Sequence, residues 1–151
     1  MVKISQCRSC GSEDLSVFLA LGDLPLSDGL VRPERLGTPE PRFPLDVAFC
    51  AGCSLVQILE TVAPEELFQD DYPYFSSFSD ALLRHSEGNV KARLAERELG
   101  PSSLVVELAS NDGYLLQYYV RAGVPVLGID PAEGPVAAAR EKGVDTIHDF
   151  F

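Results

Sequence analysis

The sequence has little positive charge and no long apolar run. Lysine and arginine number 12 against 23 aspartate and glutamate residues, which gives a formal net charge of −11. Proteins that bind nucleic acid use lysine and arginine to neutralise several phosphates, so this balance argues against a nucleic-acid partner. Apolar residues make up 46% of the chain, but no run approaches the roughly 20 residues of a membrane span. We therefore expect no membrane association.

The N-terminus also lacks the apolar segment of a secretory signal peptide and reaches Cys7 within a few residues. We therefore expect a cytoplasmic protein. With 151 residues, the chain is long enough for one ordinary domain or two small ones. No pattern in the sequence predicts its oligomeric state.

Prolines and glycines are frequent in residues 1–60, which disfavours long helices and favours short strands joined by loops. We predict three strands, at residues 17–21, 45–49 and 55–58. A module of this size with so little continuous core needs an additional stabilising element.

Cysteines supply a candidate for that element. They form two C-x-x-C pairs: Cys7 with Cys10, and Cys50 with Cys53. This spacing predicts a four-cysteine zinc site, in which Gly11 and Gly52 let the backbone curl around the sulfurs. Two disulfides are an alternative that suits an oxidising compartment, and a redox-active C-x-x-C is another, although it does not require two matched pairs. Four sulfur ligands leave no open position, so the zinc would be structural.

Residues 61–100 are interpreted as an aromatic connector followed by a helix. Tyr72 and Tyr74 are flanked by hydroxyl-bearing residues. Packing in a core would explain these aromatics, and so would a polar ligand site that the two tyrosines line. Pro73 argues against a helix interior here.

Two helices are predicted within this region. The first is a short helix near residues 62–68, with proline in its first turn. The second is capped by Ser79 and continues to about Leu99, where Gly100 and Pro101 end it.

Strands and helices alternate from residue 101 onward, which predicts a parallel α/β sheet. The predicted order is strand 104–108, helix 113–122, strand 125–130, helix 135–142 and strand 144–147. Three strands are too few for a complete doubly wound sheet and would leave an unprotected edge. We therefore expect the chain to be the N-terminal part of a longer enzyme, in which residues 101–151 begin a Rossmann-like domain.

The turn after the first of these strands carries the cofactor prediction. A dinucleotide site favours G-x-G-x-x-G, whose glycines let a pyrophosphate approach the backbone. This turn instead aligns with E-x-G-x-G-x-G of class I methyltransferases, at Glu107, Ala109, Asn111 and Gly113. Two of the glycines are replaced by residues that are small or tolerate a left-handed conformation. The pattern favours S-adenosylmethionine over NAD, and an α/β sheet without a cofactor stays open.

Polar side chains complete the predicted cofactor site. Those of the turn would bind the aminocarboxypropyl arm and the ribose, and Asp130, at the end of the second strand, would accept hydrogen bonds from ribose hydroxyls. The predicted cofactor-binding residues are Glu107, Ala109, Ser110, Asn111, Asp112, Gly113, Asp130 and Pro131.

Three features together resemble one family: the four-cysteine module, the Tyr72-x-Tyr74-x-Ser76 junction and the turn followed by Tyr114-Leu115-Leu116. They look like the zinc-containing sugar C-methyltransferases, which methylate C3 of a dTDP-linked 4-keto deoxysugar in antibiotic biosynthesis. The resemblance covers nearly all of the chain but only about the N-terminal third of a full-length member.

This resemblance implies a zinc module that helps to wall a nucleotide-sugar site. It also implies that Tyr72 and Tyr74 line the active site, and we take them as the candidate catalytic residues. The family's acid–base histidine and glutamate lie beyond residue 151, so neither His85 nor His148 is assigned that role. We therefore expect this chain alone to be inactive. A related methyltransferase with another small-molecule acceptor and a non-catalytic zinc-binding module are the alternatives.

Overall fold

The computed structural model describes residues 2–68 and 72–151. The chain divides into two compact units, Met1–Leu67 and Phe68–Phe151. The boundaries predicted at residues 60 and 100 stay predictions.

Antiparallel strands build the first unit. Strands β2 (Leu15–Leu24), β3 (Phe43–Cys50) and β4 (Val56–Ile58) form one sheet in that order, and β1 (Val2–Lys3) pairs with β5 (Glu60–Thr61). The three predicted strands are present, and β2 and β3 are longer than predicted because they pair over most of their length, with two register shifts in β2. Apolar burial is sparse: within the described residues of this unit, the buried apolar side chains are Cys7, Ala48, Cys50 and Leu59.

Short helical segments follow the first unit's strands. Helix α1 (Pro64–Leu67) lies where a short helix was predicted. Residues Ser76–Phe78 form a single 3-10 turn, and the remainder of the described segment from Tyr72 is irregular, as Pro73 predicts. Asp71, which also belonged to the segment predicted to be non-helical, lies outside the described residues.

The long helix α2 (Asp80–Arg97) begins where it was predicted. The Ser79 side chain accepts a hydrogen bond from the backbone N–H of Leu82, as an N-cap residue does. The helix ends at Arg97, two residues before the predicted end near Leu99, and Glu98 takes a left-handed conformation with φ 51° at its C-cap. Val90, on the inner face, is buried.

Three parallel strands form the sheet of the second unit, in the order β6 (Val105–Leu108), β7 (Val126–Asp130) and β8 (Thr146–His148). Helix α3 (Leu116–Arg121) connects β6 to β7, and α4 (Glu133–Glu141) connects β7 to β8. The four-cysteine module followed by a parallel α/β sheet confirms the predicted fold class.

Some limits of these elements differ from prediction. Helix α3 starts at Leu116 rather than residue 113, because the turn before it extends further. Helix α4 starts at Glu133, two residues before the predicted start at Pro135. Strand β8 starts at Thr146, because Val144 is buried in the core before the strand begins.

The core of the second unit lies between the sheet and its helices. It is formed by Val90, Leu116, Tyr119, Val124, Ala139 and Val144. Because side chains alternate along a strand, Val106 and Leu108 of β6 point the other way and are about half exposed. Within the described chain, none of the helices combines the length and the apolar character needed to cross a bilayer.

Candidate functional site

The four cysteines converge in the first unit. Their sulfur atoms all lie within 4.8 Å of one another. The Sγ atoms of Cys7 and Cys53 are 3.6 Å apart, and those of Cys10 and Cys50 are 3.7 Å apart. A disulfide would need about 2.05 Å, whereas a tetrahedron with Zn–S distances of about 2.3 Å has edges near 3.8 Å. The cysteines are free, and their spacing fits one zinc ion with four sulfur ligands.

Tight backbone turns hold each cysteine pair. Gly11 donates from its N–H to the carbonyl of Cys7, and it adopts φ 73° as the zinc prediction required. Gly52 has another role: a side chain there would approach Ser12 Cβ at 3.2 Å and Cys10 Sγ at 3.5 Å. In that second turn it is Ser54 that adopts the left-handed conformation, with φ 63°.

Thiolate formation is favoured at one of these ligands. Hydrogen bonding from the backbone of Cys10 is the largest cause that lowers the pKa of Cys7, to about 6. Because zinc binds the thiolate and not the thiol, this backbone arrangement favours metal binding near neutral pH.

The polar turn after β6 has an alternating backbone conformation. Ala109, Asn111 and Gly113 have φ values of 57°, 48° and 72°. The motif E-x-G-x-G-x-G carries glycine at these three positions. The backbone therefore keeps the left-handed conformation that favours glycine, even at the two positions where alanine and asparagine replace it. Gly113 cannot be replaced easily, because a Cβ there would lie 3.0 Å from Val144 Cγ2.

Asp130 is buried at the end of β7, beside this turn. Its Oδ2 accepts a hydrogen bond of 2.8 Å from the N–H of Asn111, and its Oδ1 accepts one of 2.9 Å from the N–H of Ala132. The carboxylate therefore fixes the turn to the end of the neighbouring strand. Each carboxylate oxygen keeps a second lone pair, which can accept a hydrogen bond from a hydroxyl group of a ligand.

Glu107 points toward the same side as the turn, one residue before the end of β6. Burial raises the pKa of Glu107 to about 7, the negative charge of Asp130 adds to the rise, and the neighbouring Tyr114 hydroxyl opposes it. Within the described chain, Oε2 of Glu107 is buried without a hydrogen-bond partner. A half-buried acid with an unsatisfied oxygen is suited to a ligand that brings a donor or a positive charge.

Tyr74 lies near Tyr114, whose hydroxyl is hydrogen-bonded to this acid. The pKa of Tyr114 is raised by burial first, then by Glu107, and the charge of a nearby Tyr74 raises it further. The Tyr74 side chain is 48% exposed, so it is available to a ligand. Tyr72 packs its ring edge-on against Phe68, with centroids 5.3 Å apart. The active-site roles of both tyrosines stay predictions.

Asn111 and Asp112 bind protein groups with their side chains. The Asn111 amide contacts the backbone of Tyr74 and Ser76, and Asp112 forms an ion pair with Lys142 at 2.9 Å. Ser110 is fully buried, and its hydroxyl has no hydrogen-bond partner among the described residues. The side-chain roles predicted for these residues in cofactor binding stay predictions.

The backbone carbonyl of Pro131, directly after β7, contacts the side chain of His148 at the end of β8. The carbonyl lies 2.9 Å from Nε2 of His148. Since a carbonyl only accepts, that nitrogen carries the proton in this contact. His85 lies on the exposed side of α2. Neither histidine was assigned the role of a catalytic base from the sequence.

Sequence reasoning missed two residues of this region. Tyr114 was predicted to start a helix and contributed to the family resemblance, but no contact with Glu107 was predicted for it, although its position directly after Gly113 could have indicated proximity to the turn. Lys142 was interpreted only as part of a helix end. No local pattern signals its contact with Asp112, because the two residues are far apart in sequence.

Comparisons with known proteins agree with this geometry. Residues 7–68 match the family model Methyltransf_13, whose description reads "Putative zinc binding domain". The chain is also 34% identical over 148 residues to C-methyltransferase NovU of Streptomyces niveus. That alignment covers 98% of this chain and 35% of the length of that relative. The predicted zinc-binding module is confirmed.

Proposed function

Because this chain carries the Methyltransf_13 zinc-binding domain and is similar along nearly its whole length to a C-methyltransferase, we propose that it forms the zinc-binding and cofactor-binding part of an S-adenosylmethionine-dependent C-methyltransferase. The zinc is structural, since four cysteine ligands leave no position for water or substrate. The methyl donor binds at the turn between β6 and α3.

A single observation carries this proposal. The turn at the end of β6 has left-handed backbone at all three glycine positions of the methyltransferase motif. It lies next to Asp130, at the end of the adjacent parallel strand, where ligands of open α/β sheets bind. Neither a turn buried in a core nor a dinucleotide-binding loop requires left-handed backbone at these three positions together with an acid at the end of the next strand.

Charge favours S-adenosylmethionine over NAD. Glu107, Asp112 and Asp130 place three carboxyl groups around the turn, and among the described residues the cation paired with them is Lys142. S-adenosylmethionine carries a sulfonium and an ammonium group against a single carboxylate, and acidic surroundings attract this net positive charge. The pyrophosphate of NAD carries negative charge and would be repelled.

The residues present fit the methyl donor. Glu107 offers an unsatisfied buried oxygen, and Asp130 has residual acceptor capacity for a ribose hydroxyl. When bound, S-adenosylmethionine supplies an electrophilic methyl group. The chain's own contribution is to hold and orient that donor and to exclude water from the turn.

The acceptor we propose is a nucleotide-linked 4-keto deoxysugar. Methylation at carbon requires an acidic C–H bond, and a neighbouring keto group provides one by stabilising the enolate that remains after proton removal. Tyr74, which is half exposed and near Tyr114, would line the acceptor side of the site. We name no catalytic base from residues 1–151.

Calorimetric titration of the chain with S-adenosylmethionine and, separately, with NAD tests the cofactor assignment. We expect saturable binding of S-adenosylmethionine and none of NAD. Binding of NAD alone would reverse the assignment. Asp145→Asn, at an exposed acid between α4 and β8, is a control for loss of general negative charge and should leave the affinity unchanged.

The acceptor is tested with a longer protein that contains this chain. With S-adenosylmethionine and a dTDP-linked 4-keto-6-deoxysugar, we expect mass spectrometry to show one added methyl group on the sugar carbon next to the ketone. Methylation of an oxygen or nitrogen would contradict the proposal. The 151-residue chain alone should bind the donor and transfer nothing.

A further inference from the structure

Both polar atoms of the Asn111 side chain bind one short segment of the same unit. Its Oδ1 accepts a hydrogen bond of 2.8 Å from the N–H of Ser76, and its Nδ2 donates one of 3.1 Å to the carbonyl of Tyr74. Asn111 is only 8% exposed. The amide therefore fixes the backbone on both sides of Phe75 and does not face solvent.

Lys142 makes a second attachment between the same two segments. Its Nζ lies 2.7 Å from the carbonyl oxygen of Asp112, 2.9 Å from Oδ2 of Asp112 and 2.8 Å from Oγ of Ser77. Oδ2 also accepts from the N–H of Ser77 at 3.3 Å. This is a charge-assisted contact, buried on the side of Asp112, whose side chain is 3% exposed, and partly open to water at Lys142, whose side chain is 30% exposed.

These contacts connect Tyr74 to the turn between β6 and α3, where we propose that the methyl donor binds. We call this turn the donor turn. The N–H of Asn111 donates to Asp130, whereas its side chain binds the backbone of residues 74 and 76. A change in the turn's backbone at Asn111 therefore moves the amide and, with it, the segment that carries Tyr74. We define the latch as the side chains of Asn111, Asp112 and Lys142 together with the residues 74–77 that they hold.

Tyr74 has freedom to respond to such a movement. Its ring is about half exposed, and the latch holds its main chain rather than its hydroxyl. The ring also lies close enough to affect the pKa of Tyr114. A movement of residues 74–77 would therefore carry this ring toward or away from Tyr114.

We propose that Asn111 and Lys142 are positioning residues, and that their latch couples occupancy of the turn to the position of Tyr74. The contacts described above define the latch. Only the identification of the ligand of the turn as S-adenosylmethionine rests on the proposed function. Tyr74 is thereby held in place on the acceptor side when the methyl donor is bound.

The chain contains no tryptophan, so Tyr74→Trp introduces a single indole, which can be excited selectively over the remaining tyrosines and which we call the reporter. The latch uses the backbone of residue 74, and the substitution leaves those contacts available. In that background, Asn111→Gly removes the amide while glycine accepts φ 48° without strain. Acrylamide quenching then measures how well the reporter is held, and circular dichroism verifies the fold of each variant.

We expect Asn111→Gly to increase the quenching constant of the reporter about threefold in the absence of ligand, because the segment opens locally more often. Equal quenching in the two proteins would contradict the latch. S-adenosylmethionine should lower quenching in the Tyr74→Trp protein and leave it unchanged in the Asn111→Gly variant. An equal response in both would overturn the coupling.

Substitutions of Lys142 test the latch independently of Asn111. Lys142→Met should raise quenching of the reporter, and Lys142→Arg should restore most of the protection because it keeps the charge. Lys91→Met is the matched control, since Lys91 pairs with Glu87 on the exposed face of α2, and it should change nothing. If S-adenosylmethionine binds to none of these proteins, the proposed function fails, and quenching without ligand still decides whether the latch exists.

Discussion

At the scale of single residues, the turn after β6 keeps a glycine-type backbone without glycine at two positions. Ala109 adopts φ 57° and Asn111 φ 48°. Asparagine tolerates this conformation better than alanine, because its side chain can make local hydrogen bonds. The strain of the turn is therefore concentrated at Ala109, which is exposed and has little packing to compensate for it.

Ala109→Gly should stabilise the protein. A left-handed alanine costs roughly 1–2 kcal/mol, and the greater chain entropy of unfolded glycine offsets part of the gain, so we expect a net increase of about 0.5–1 kcal/mol. Urea unfolding of both proteins measures it. Ala137→Gly, at an exposed position within α4, is the matched control and should lose about 1 kcal/mol. Destabilisation by Ala109→Gly would show that the alanine is not strained.

Glu107 makes the stability of the fold depend on pH. Burial raises its pKa to about 7, above the ordinary value of 4.5, so the folded state holds a proton more tightly than the unfolded state. The resulting stabilisation is complete below the ordinary pKa and is lost as the pH rises through about 7.

Glu107→Gln should remove this pH dependence, because glutamine stays neutral. Relative to the parent, the variant should gain thermal stability between about pH 5 and pH 8, as the parent's carboxyl ionises. Melting temperatures at the two pH values measure the change. Glu141→Gln, at an exposed end of α4, should show no such trend. A constant difference between Glu107→Gln and the parent would mean that Glu107 already ionises at its ordinary pKa.

At the scale of elements, local sequence predicted most of the strands and helices, but not the short paired strands β1 and β5. Tertiary contacts decided where several elements end. The strands of the second unit and the Ser79 cap follow from short patterns. The exact end of α2 does not follow from such a pattern, because Glu98 takes a left-handed conformation two residues before Gly100. Leu99, the next residue, packs against the core. The donor turn was predictable from its motif. The contacts of Asn111 with Tyr74 and Ser76 were not, since they join residues 37 and 35 positions apart.

Close packing of the turn against the sheet explains the glycine in the middle of β7. A side chain at Gly128 would overlap the Ser110 hydroxyl and approach Thr146 Oγ1 at 3.1 Å. Gly128→Ala should therefore destabilise the fold by about 1–3 kcal/mol and weaken donor binding. Denaturant unfolding and donor titration measure the two effects.

Two further variants show whether overlap is the cause. Ser110→Gly in the Gly128→Ala background should recover part of the stability, because it removes the group that collides. Gly88→Ala, on α2 with open space around it, should instead stabilise by up to about 1 kcal/mol. If Gly128→Ala is neutral, β7 can move away from the turn, and the close approach has no energetic consequence.

At the scale of the whole molecule, the two units differ in what holds them together. The second unit has a continuous apolar core around Leu116 and Val144. The first has few buried apolar residues, and two of these, Cys7 and Cys50, are zinc ligands. Its β2 strand exposes Val17, Phe18 and Leu19. The metal therefore replaces the apolar core as the main stabilising element of residues 1–67.

Removal of zinc should unfold the first unit and spare the second. Structural zinc supplies on the order of 10 kcal/mol of folding free energy in small domains, more than this unit's apolar burial can replace. After chelation we expect proteolysis to cleave within residues 2–67 while Phe68–Phe151 resists, and added zinc should restore protection. Cys10→Ser should reproduce the effect, and Ser9→Ala, at an exposed neighbour outside the ligand set, should not. Equal resistance of both units after complete chelation would show that the first unit folds without its metal.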